Sequence, residues 1–296
     1  MKIAVIGSGT MGNGIAHTFA QFGHKVCLVD TSEEALIKGI ETITRNLDRQ
    51  LTKGNITDSE KASTLNNIQT FPDLKSAVAN TDLVIEAATE NLNIKLNLFK
   101  SLDNYCAKET ILASNTSSIS ISQIASATNR ADKVIGMHFM NPVPLMKLVE
   151  VIRGKETSDE TTRIVMDTAI QLDKIPVEVN DAPGFVANRI LMPMINEAII
   201  TLKEGVAGVE EIDTVMKLGM SHPMGPLQLA DYIGLDVCLA IMNVMYEGFK
   251  NTKYEPSSLL KEMVEEGQMG IKSGVGFYQY IIGSKEFIVA PRFKKQ

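Results

Sequence analysis

Through the first 180 or so residues, short continuous apolar runs alternate with stretches of helical periodicity. The runs are "KIAVIG", "HKVCLVD", "DLVIEAA", "TILAS", "KVIGMHF", "MKLVEVI" and "PVEVN". Runs this short, apolar throughout, are what parallel strands buried on both faces look like. Between them, "SGTMGNGIAHTFAQFG", "NIKLNLFKSLDNYC", "ISISQIASAT" and a segment near 158–173 read as helices. One interval is longer. Leu36, Ile40, Ile43, Leu47 and Leu51 fall at steps of four and three, which makes one apolar helix face. Lys53-Gly54-Asn55 stops that helix, and Thr57-Asp58-Ser59-Glu60 has the form of a capping box opening another. The pattern therefore predicts a helical hairpin inserted after the second strand.

After "DAPG" (181–184) the pattern turns helical, running from Phe185 to the glycines near 270, with Pro193 inside the long segment "FVANRILMPMINEAIITL". No strand signal returns until "GFYQYII". The expected organisation is an α/β domain over 1–183 followed by an all-helical domain over 184–296.

Composition narrows the function classes. The chain has 296 residues, enough for two cores, and its 44% hydrophobic and 22% charged content is ordinary for a globular protein. A net charge of −6 gives no global field favouring nucleic acid or an anionic membrane, so any anionic ligand must be held by local features. Cys27, Cys106 and Cys238 are odd in number and widely spaced. The first and last lie in apolar runs and read as reduced core thiols. No His, Cys, Asp and Glu set has ligand spacing, so no metal is implied. The chain opens directly into a strand, and no apolar run approaches the ~18 residues of a membrane span. The expectation is a cytoplasmic protein with neither nucleic acid nor membrane as partner.

Gly7-Ser8-Gly9-Thr10-Met11-Gly12 is a G-x-G-x-x-G that follows a strand and opens a helix, and Asp30 ends the next strand 18 residues past Gly12. Gly7 permits the tight turn, Gly9 lets backbone approach a pyrophosphate, and Gly12 lets helix and strand pack closely. The helix N-terminus offers unpaired N–H groups to the phosphates. Asp30 can accept hydrogen bonds from ribose hydroxyls and would repel a 2′-phosphate, with no arginine in the next dozen residues to offset it. The dinucleotide implied is NAD.

His138 closes one predicted strand and Glu150 lies on the next, with Pro142 and Pro144 between. If the strands form a hairpin about Pro144, the two residues are symmetric about the turn and their side chains lie ~5 Å apart as a cross-strand pair. A carboxylate on one ring nitrogen fixes the tautomer and leaves the other nitrogen free to move a proton. A core histidine satisfied by a nearby acid has the same look.

With Ser114-Asn115-Thr116-Ser117-Ser118, His138-Phe139-Met140-Asn141-Pro142-Val143-Pro144 and Asp181-Ala182-Pro183-Gly184-Phe185-Val186-Ala187-Asn188-Arg189 in order, the chain resembles the 3-hydroxyacyl-CoA dehydrogenase family. The compact bacterial 3-hydroxybutyryl-CoA dehydrogenases are the nearest in form. The resemblance runs from Met1 to about Tyr280 and takes in "MGPLQLADYIGLDV" and "GIKSGVGFYQY". Residues 281–296 lie beyond it and have no reading from sequence. It implies a Rossmann-type domain binding NAD, and a helical domain that mediates homodimerisation. The implied reaction interconverts an (S)-3-hydroxyacyl-CoA and the 3-ketoacyl-CoA in fatty acid and butanoate metabolism.

Residue by residue, the resemblance assigns acid/base work to His138, its orientation to Glu150, and the substrate oxygen to Ser117 and Asn188. Glu90, Lys95, Asn115, Ser117, Asn141 and Lys272 match cofactor contacts. The family binds coenzyme A against the helical hairpin that carries Asn46, Arg49 and Lys53; Lys53 matches one of its contacts, and Asn46 stands where some relatives have serine but can still donate. Arg45, Arg49 and Lys53 recur at steps of four, a stripe that is also consistent with a solvated helix face. Ile271 departs from the family's frequent basic residue, which puts one cofactor-side contact in doubt. Two other readings remain: a dehydrogenase of a 3-hydroxy acid without coenzyme A, and a non-catalytic protein that keeps the nucleotide fold.

Overall fold

The computed structural model describes residues 1–281 and 286–294 and divides into two compact units, Met1–Ala182 and Pro183–Gln296. In the first, β1 (Lys2–Ile6), α1 (Thr10–Gln21) and β2 (Lys25–Val29) lead into the helical hairpin of α2 (Glu33–Thr52) and α3 (Asp58–Asn66). There follow β3 (Ile68–Phe71), α4 (Leu74–Val78), β4 (Leu83–Glu86), α5 (Leu92–Tyr105), β5 (Ile111–Ser114) and α6 (Ile121–Ala125). β6 (Val134–Phe139), β7 (Leu148–Arg153), α7 (Asp159–Gln171) and β8 (Ile175–Asn180) complete the unit. The strands form one eight-stranded sheet in the order β3-β2-β1-β4-β5-β6-β7-β8. Among the described residues of this sheet, only β6 and β7 pair antiparallel.

Why the strands are apolar throughout is visible in their burial. Ile3, Val5, Leu28 and Ile85 join the core with Ile15 and Phe19 of α1, Ile43 and Leu47 of α2 and Val165 of α7. Alternate residues such as Ala4, Val84 and Leu112 are also fully buried, so helices cover both faces of the sheet. Burying one such side chain contributes roughly 1.5–3 kcal/mol. The capping box is present: Thr57 accepts from the Glu60 N–H, and the Glu60 carboxylate accepts from the Thr57 N–H at 2.7 Å. Two elements exceed the sequence expectation, β3 and α4. β3 is a four-residue strand at the sheet edge with Gln69 and Thr70 exposed, so it has no apolar run to announce it.

The second unit packs α8 (Ala187–Lys203), α9 (Val209–Thr214), α10 (Pro226–Ile233), α11 (Leu235–Phe249) and α12 (Ser258–Glu265) around a core. Met192, Ile199, Leu227, Leu235, Met242, Leu260 and Phe277 make up much of it. α8 continues through Pro193. The helical expectation needs one correction: β9 (Tyr278–Tyr280) pairs antiparallel with β10 (Phe287–Val289), so a small two-stranded hairpin closes the unit. Its second strand belongs to the segment that lacked a reading. Ile282, the end of the expected strand "GFYQYII", lies outside the described residues. All three cysteines are free and buried.

Candidate active site

The glycine turn lies between β1 and α1, at the point where the sheet order passes from β1 to β4. Crevices at such switch points hold ligands in open α/β sheets. Gly7 has φ +95°, and a Cβ there would sit 2.7 Å from the Ala87 carbonyl oxygen. A Cβ on Gly12 would lie 1.7 Å from the Gly7 carbonyl oxygen, so the turn closes only on glycine. Gly9 differs: a Cβ there would meet nothing within 4 Å. The fold does not need that glycine for its own packing, whereas a phosphate held against the backbone does. No side chain caps the α1 N-terminus, which leaves its N–H groups for an anion.

Asp30 stands beside this cradle. Its Oδ2 accepts from the Ser8 N–H and the Ser8 hydroxyl, both at 2.9 Å, and its Oδ1 accepts from the Ser32 N–H at 3.2 Å. Partial burial works to raise its pKa, but these hydrogen bonds together lower it below the usual carboxylate value, so the group is ionised. A carboxylate has about four acceptor sites, which leaves room for a ribose hydroxyl. The cradle and its acid fit NAD.

β4, β5 and β6 bring the next residues together at their C-terminal ends. Glu90 Oε1 accepts from the Ser117 N–H at 2.7 Å, and its Oε2 accepts from the Thr116 hydroxyl at 2.8 Å. These bonds shape the loop after β5 so that Ser117 Oγ lies 3.0 Å from His138 Nε2. On the other side of the ring, His138 Nδ1 is 2.9 Å from Glu150 Oε2, and His138 and Glu150 are direct cross-strand partners in the β6–β7 register. Both are buried, at 6% and 2% exposure. With Glu150 accepting from Nδ1–H, Nε2 carries the lone pair that faces Ser117. Asn115 Oδ1 accepts from the Phe139 N–H at 2.9 Å, tying the same loop to β6.

Lys95 is more deeply placed than its expected role suggests. Its side chain is 2% exposed and donates to both oxygens of Glu86, at 2.7 and 2.6 Å, with Glu90 3.8 Å away. Glu86, wholly buried, also accepts from the Ser114 hydroxyl at 2.7 Å and the Ala88 N–H at 2.8 Å. Two of the three ammonium donors are thus directed at Glu86, leaving one for a further partner. Sequence reasoning passed over Glu86, although an acid ending the apolar run "DLVIEAA" is the same kind of signal that singled out Glu150.

Elsewhere the placements are looser. Asn141 is exposed at the start of the β6–β7 turn. Arg45 and Arg49 on α2, and Lys53 just past its end, are exposed. Arg45 donates to the Thr42 hydroxyl at 2.8 Å, and Arg49 lies 3.4 Å from Asn46 Oδ1. In the second unit Asn188 is buried in the first turn of α8, and the exposed Lys272 pairs with Asp236. Ile271, where a basic residue was expected, is 38% exposed. His17, by contrast, is wholly buried in α1 without a partner on Nδ1.

Comparison with known proteins gives the family. Residues 2–182 match the 3-hydroxyacyl-CoA dehydrogenase NAD binding domain, and residues 184–280 match the 3-hydroxyacyl-CoA dehydrogenase C-terminal domain. A 3-hydroxybutyryl-CoA dehydrogenase of Clostridioides difficile is 53% identical, over 95% of this chain and 99% of that protein. The mitochondrial hydroxyacyl-coenzyme A dehydrogenase of Homo sapiens is 46% identical, over 94% of this chain and 90% of its own. The crystal structure of (S)-3-hydroxybutyryl-CoA dehydrogenase from Ralstonia eutropha aligns with a TM-score of 0.91 at 51% identity, covering 95% of this chain and 99% of that one. The chain belongs to the 3-hydroxyacyl-CoA dehydrogenase family.

Proposed function

We propose that the protein is an NAD-dependent dehydrogenase interconverting a short (S)-3-hydroxyacyl-CoA, above all 3-hydroxybutanoyl-CoA, with the corresponding 3-ketoacyl-CoA of fatty acid and butanoate metabolism. The observation that carries this reading is the line Glu150–His138–Ser117, held at 2.9 and 3.0 Å in the same unit as the glycine cradle and Asp30. Residues 1–183 serve as the NAD-binding domain and 184–296 as the substrate and dimerisation domain.

In this reading Gly7, Gly9, Gly12 and the α1 N-terminus hold the pyrophosphate, and Asp30 holds the adenosine ribose. Glu90, Lys95, Asn115 and Asn141 are assigned to the rest of the cofactor, and Lys272 is assigned to it on the family resemblance alone. NAD, when bound, supplies the hydride acceptor or donor for C3. His138 Nε2 takes the proton of the C3 hydroxyl in oxidation and returns it in reduction. Glu150 stabilises the imidazolium between those events and keeps Nε2, not Nδ1, as the working nitrogen. Ser117 Oγ donates to the C3 oxygen, on which negative charge grows as the proton leaves or hydride arrives. Asn188 is assigned to the same oxygen on the family resemblance alone. Arg49, Lys53 and Asn46 take the coenzyme A phosphates and adenosine along α2.

Assembly as a cytoplasmic homodimer is part of the same reading. Val206, Val215, Leu218 and Met220 are 60–82% exposed on the second unit. An apolar cleft of about 400 Å³ lies beside them, lined by Met194, Ala198, Val206, Ile212 and Val215. A second copy would cover this surface. Among the described residues, no single helix is long and apolar enough to cross a membrane.

The deciding experiment follows NADH oxidation with acetoacetyl-CoA, longer 3-ketoacyl-CoA thioesters and free acetoacetate in parallel. Turnover of the thioesters, greatest for acetoacetyl-CoA, supports the proposal. Equal use of the free acid points to a dehydrogenase without coenzyme A, and no turnover at all points to a non-catalytic nucleotide-binding protein.

A further inference from the structure

The turn joining β6 to β7 sets His138 opposite Glu150 and begins with Asn141. Within it, the Pro142 carbonyl accepts from both the Leu145 and Met146 N–H groups at 3.0 Å. Two more of its carbonyls end on one ammonium from elsewhere in the fold. Lys174 Nζ donates to the Val143 carbonyl at 2.6 Å and to the Met146 carbonyl at 2.8 Å. Lys174 is only 7% exposed. It arrives there because α7 ends in a left-handed residue, Asp173 at φ +56°, with the Lys174 N–H closing back on the Ala169 carbonyl at 3.1 Å. The far side of the turn is seated by Val143, whose Cβ would lie 3.0 Å from a Cβ placed on Gly14 of α1.

A buried lysine is an expensive way to fill space. Burial depresses its pKa below the ordinary lysine value, an effect that Lys147 reinforces and Asp173 opposes. Lys147 and Asp173 themselves form an exposed ion pair outside it. An aliphatic side chain would fill the volume without that desolvation, but would leave two carbonyls without their donor.

We propose that Lys174 is a positioning residue for the dehydrogenase reaction: by holding the Val143 and Met146 carbonyls it fixes the turn that presents Asn141 to the cofactor. This rests on the proposed function, in which Asn141 contacts NAD. A side chain that only stabilises the fold would lower the unfolding midpoint and the active fraction and leave KM values alone. A positioning residue changes KM for the ligand its turn contacts.

The test is Lys174→Met, isosteric along the stem and without donors, made alone and with Asn141→Ala. KM for NADH should rise at least about fivefold, the scale expected from losing a charge-assisted hydrogen bond. KM for acetoacetyl-CoA should stay within about twofold, because that handle lies on α2. The two substitutions should be non-additive on KM for NADH, as residues acting through one turn are. Without any ligand, amide exchange at Leu145 and Met146 should speed by about tenfold or more relative to the β6 amides, as local opening of the turn becomes easier. If Lys174→Met does not fold, Lys174→Gln, which keeps one amide donor, should show the same two changes at smaller size. Unchanged exchange at Leu145 and Met146 together with unchanged KM for NADH overturns the proposal. Wild-type protein that fails to oxidise NADH with acetoacetyl-CoA overturns the functional reading instead, and the exchange result still decides whether Lys174 holds the turn.

Discussion

Single residues carry most of the chemistry, and each can be asked one question. Asp30 is ionised and stands beside the glycine turn; in the proposed reading it holds the adenosine ribose and meets any 2′-phosphate. NADH should therefore be preferred over NADPH by at least about tenfold in kcat/KM, which needs only ~1.4 kcal/mol of repulsion. Asp30→Ala should narrow that ratio, mainly by weakening NADH. Equal efficiency with both cofactors in the wild type would place the carboxylate away from the ribose. His17 makes a second, independent prediction about stability. Burial lowers its pKa from 6.5 to about 4, opposed by a hydrogen bond with Gln21 and helped by a smaller contribution from Lys174. Between those values the unfolded chain binds a proton that the folded one refuses. The contribution of neutral His17 is thus complete above about 6.5 and lost as pH falls through 4. Chemical denaturation of His17→Leu should show a fall in stability between pH 6.5 and 4 that is shallower by up to about 3 kcal/mol. An unchanged slope would mean that His17 opens to water without cost. His138 and Glu150 were legible as a pair because one tight turn fixes a register by counting. Lys174 was not legible, since its partners are carbonyls 28 and 31 positions away and no pattern in sequence marks a backbone acceptor.

At the scale of elements, periodicity served well wherever an element buries a full face. The five apolar positions of α2 face the core: Leu36, Ile43 and Leu47 are buried, and Ile40 and Leu51 are partly so. β3 escaped because an edge strand with two exposed polar residues has neither an alternation nor a run. The opposite face of α2 makes the third prediction. Reversing charge in Lys53→Glu should raise KM for acetoacetyl-CoA severalfold and leave KM for the pantetheine thioester nearly unchanged. The difference should shrink with salt, since exposed charges are screened over ~8–10 Å at physiological ionic strength. Equal effects on the two thioesters would reduce the stripe to a solvated face. The segment after β9 makes the fourth. Arg292 pairs with Glu266 at 2.6 Å and with Glu262, both near the end of α12, and the Phe293 ring lies 5.7 Å from that of buried Phe277. Phe293→Ala should cost about 1–2 kcal/mol, below the ~3–5 kcal/mol of a core phenylalanine because this ring is only partly buried. A change under about 0.5 kcal/mol, ordinary for a surface site, would show that the segment does not brace the helical unit.

For the whole molecule, the family's motifs recur in one order from the glycine turn to "GIKSGVGFYQY", and both family domains match, over residues 2–182 and 184–280. The reaction class was legible from those motifs because each fixes a backbone shape as well as a side chain: a turn that only glycine closes, and a hairpin that pairs an acid with a base. The buried support beneath them was less legible. Glu86 and Lys95 neutralise each other out of sight, and a sequence shows the two charges without the bond between them. The central claim is that His138 Nε2 moves the proton at the C3 oxygen. It is tested most directly by the turnover of His138→Gln in acetoacetyl-CoA reduction, with NADH binding measured on the same protein. General acid–base catalysis is worth ~10²–10⁴-fold. The substitution should therefore lower kcat by that factor with the dissociation constant for NADH within about twofold of wild type. A kcat above about a third of the wild-type value, with NADH bound normally, would show that the proton is carried by another group.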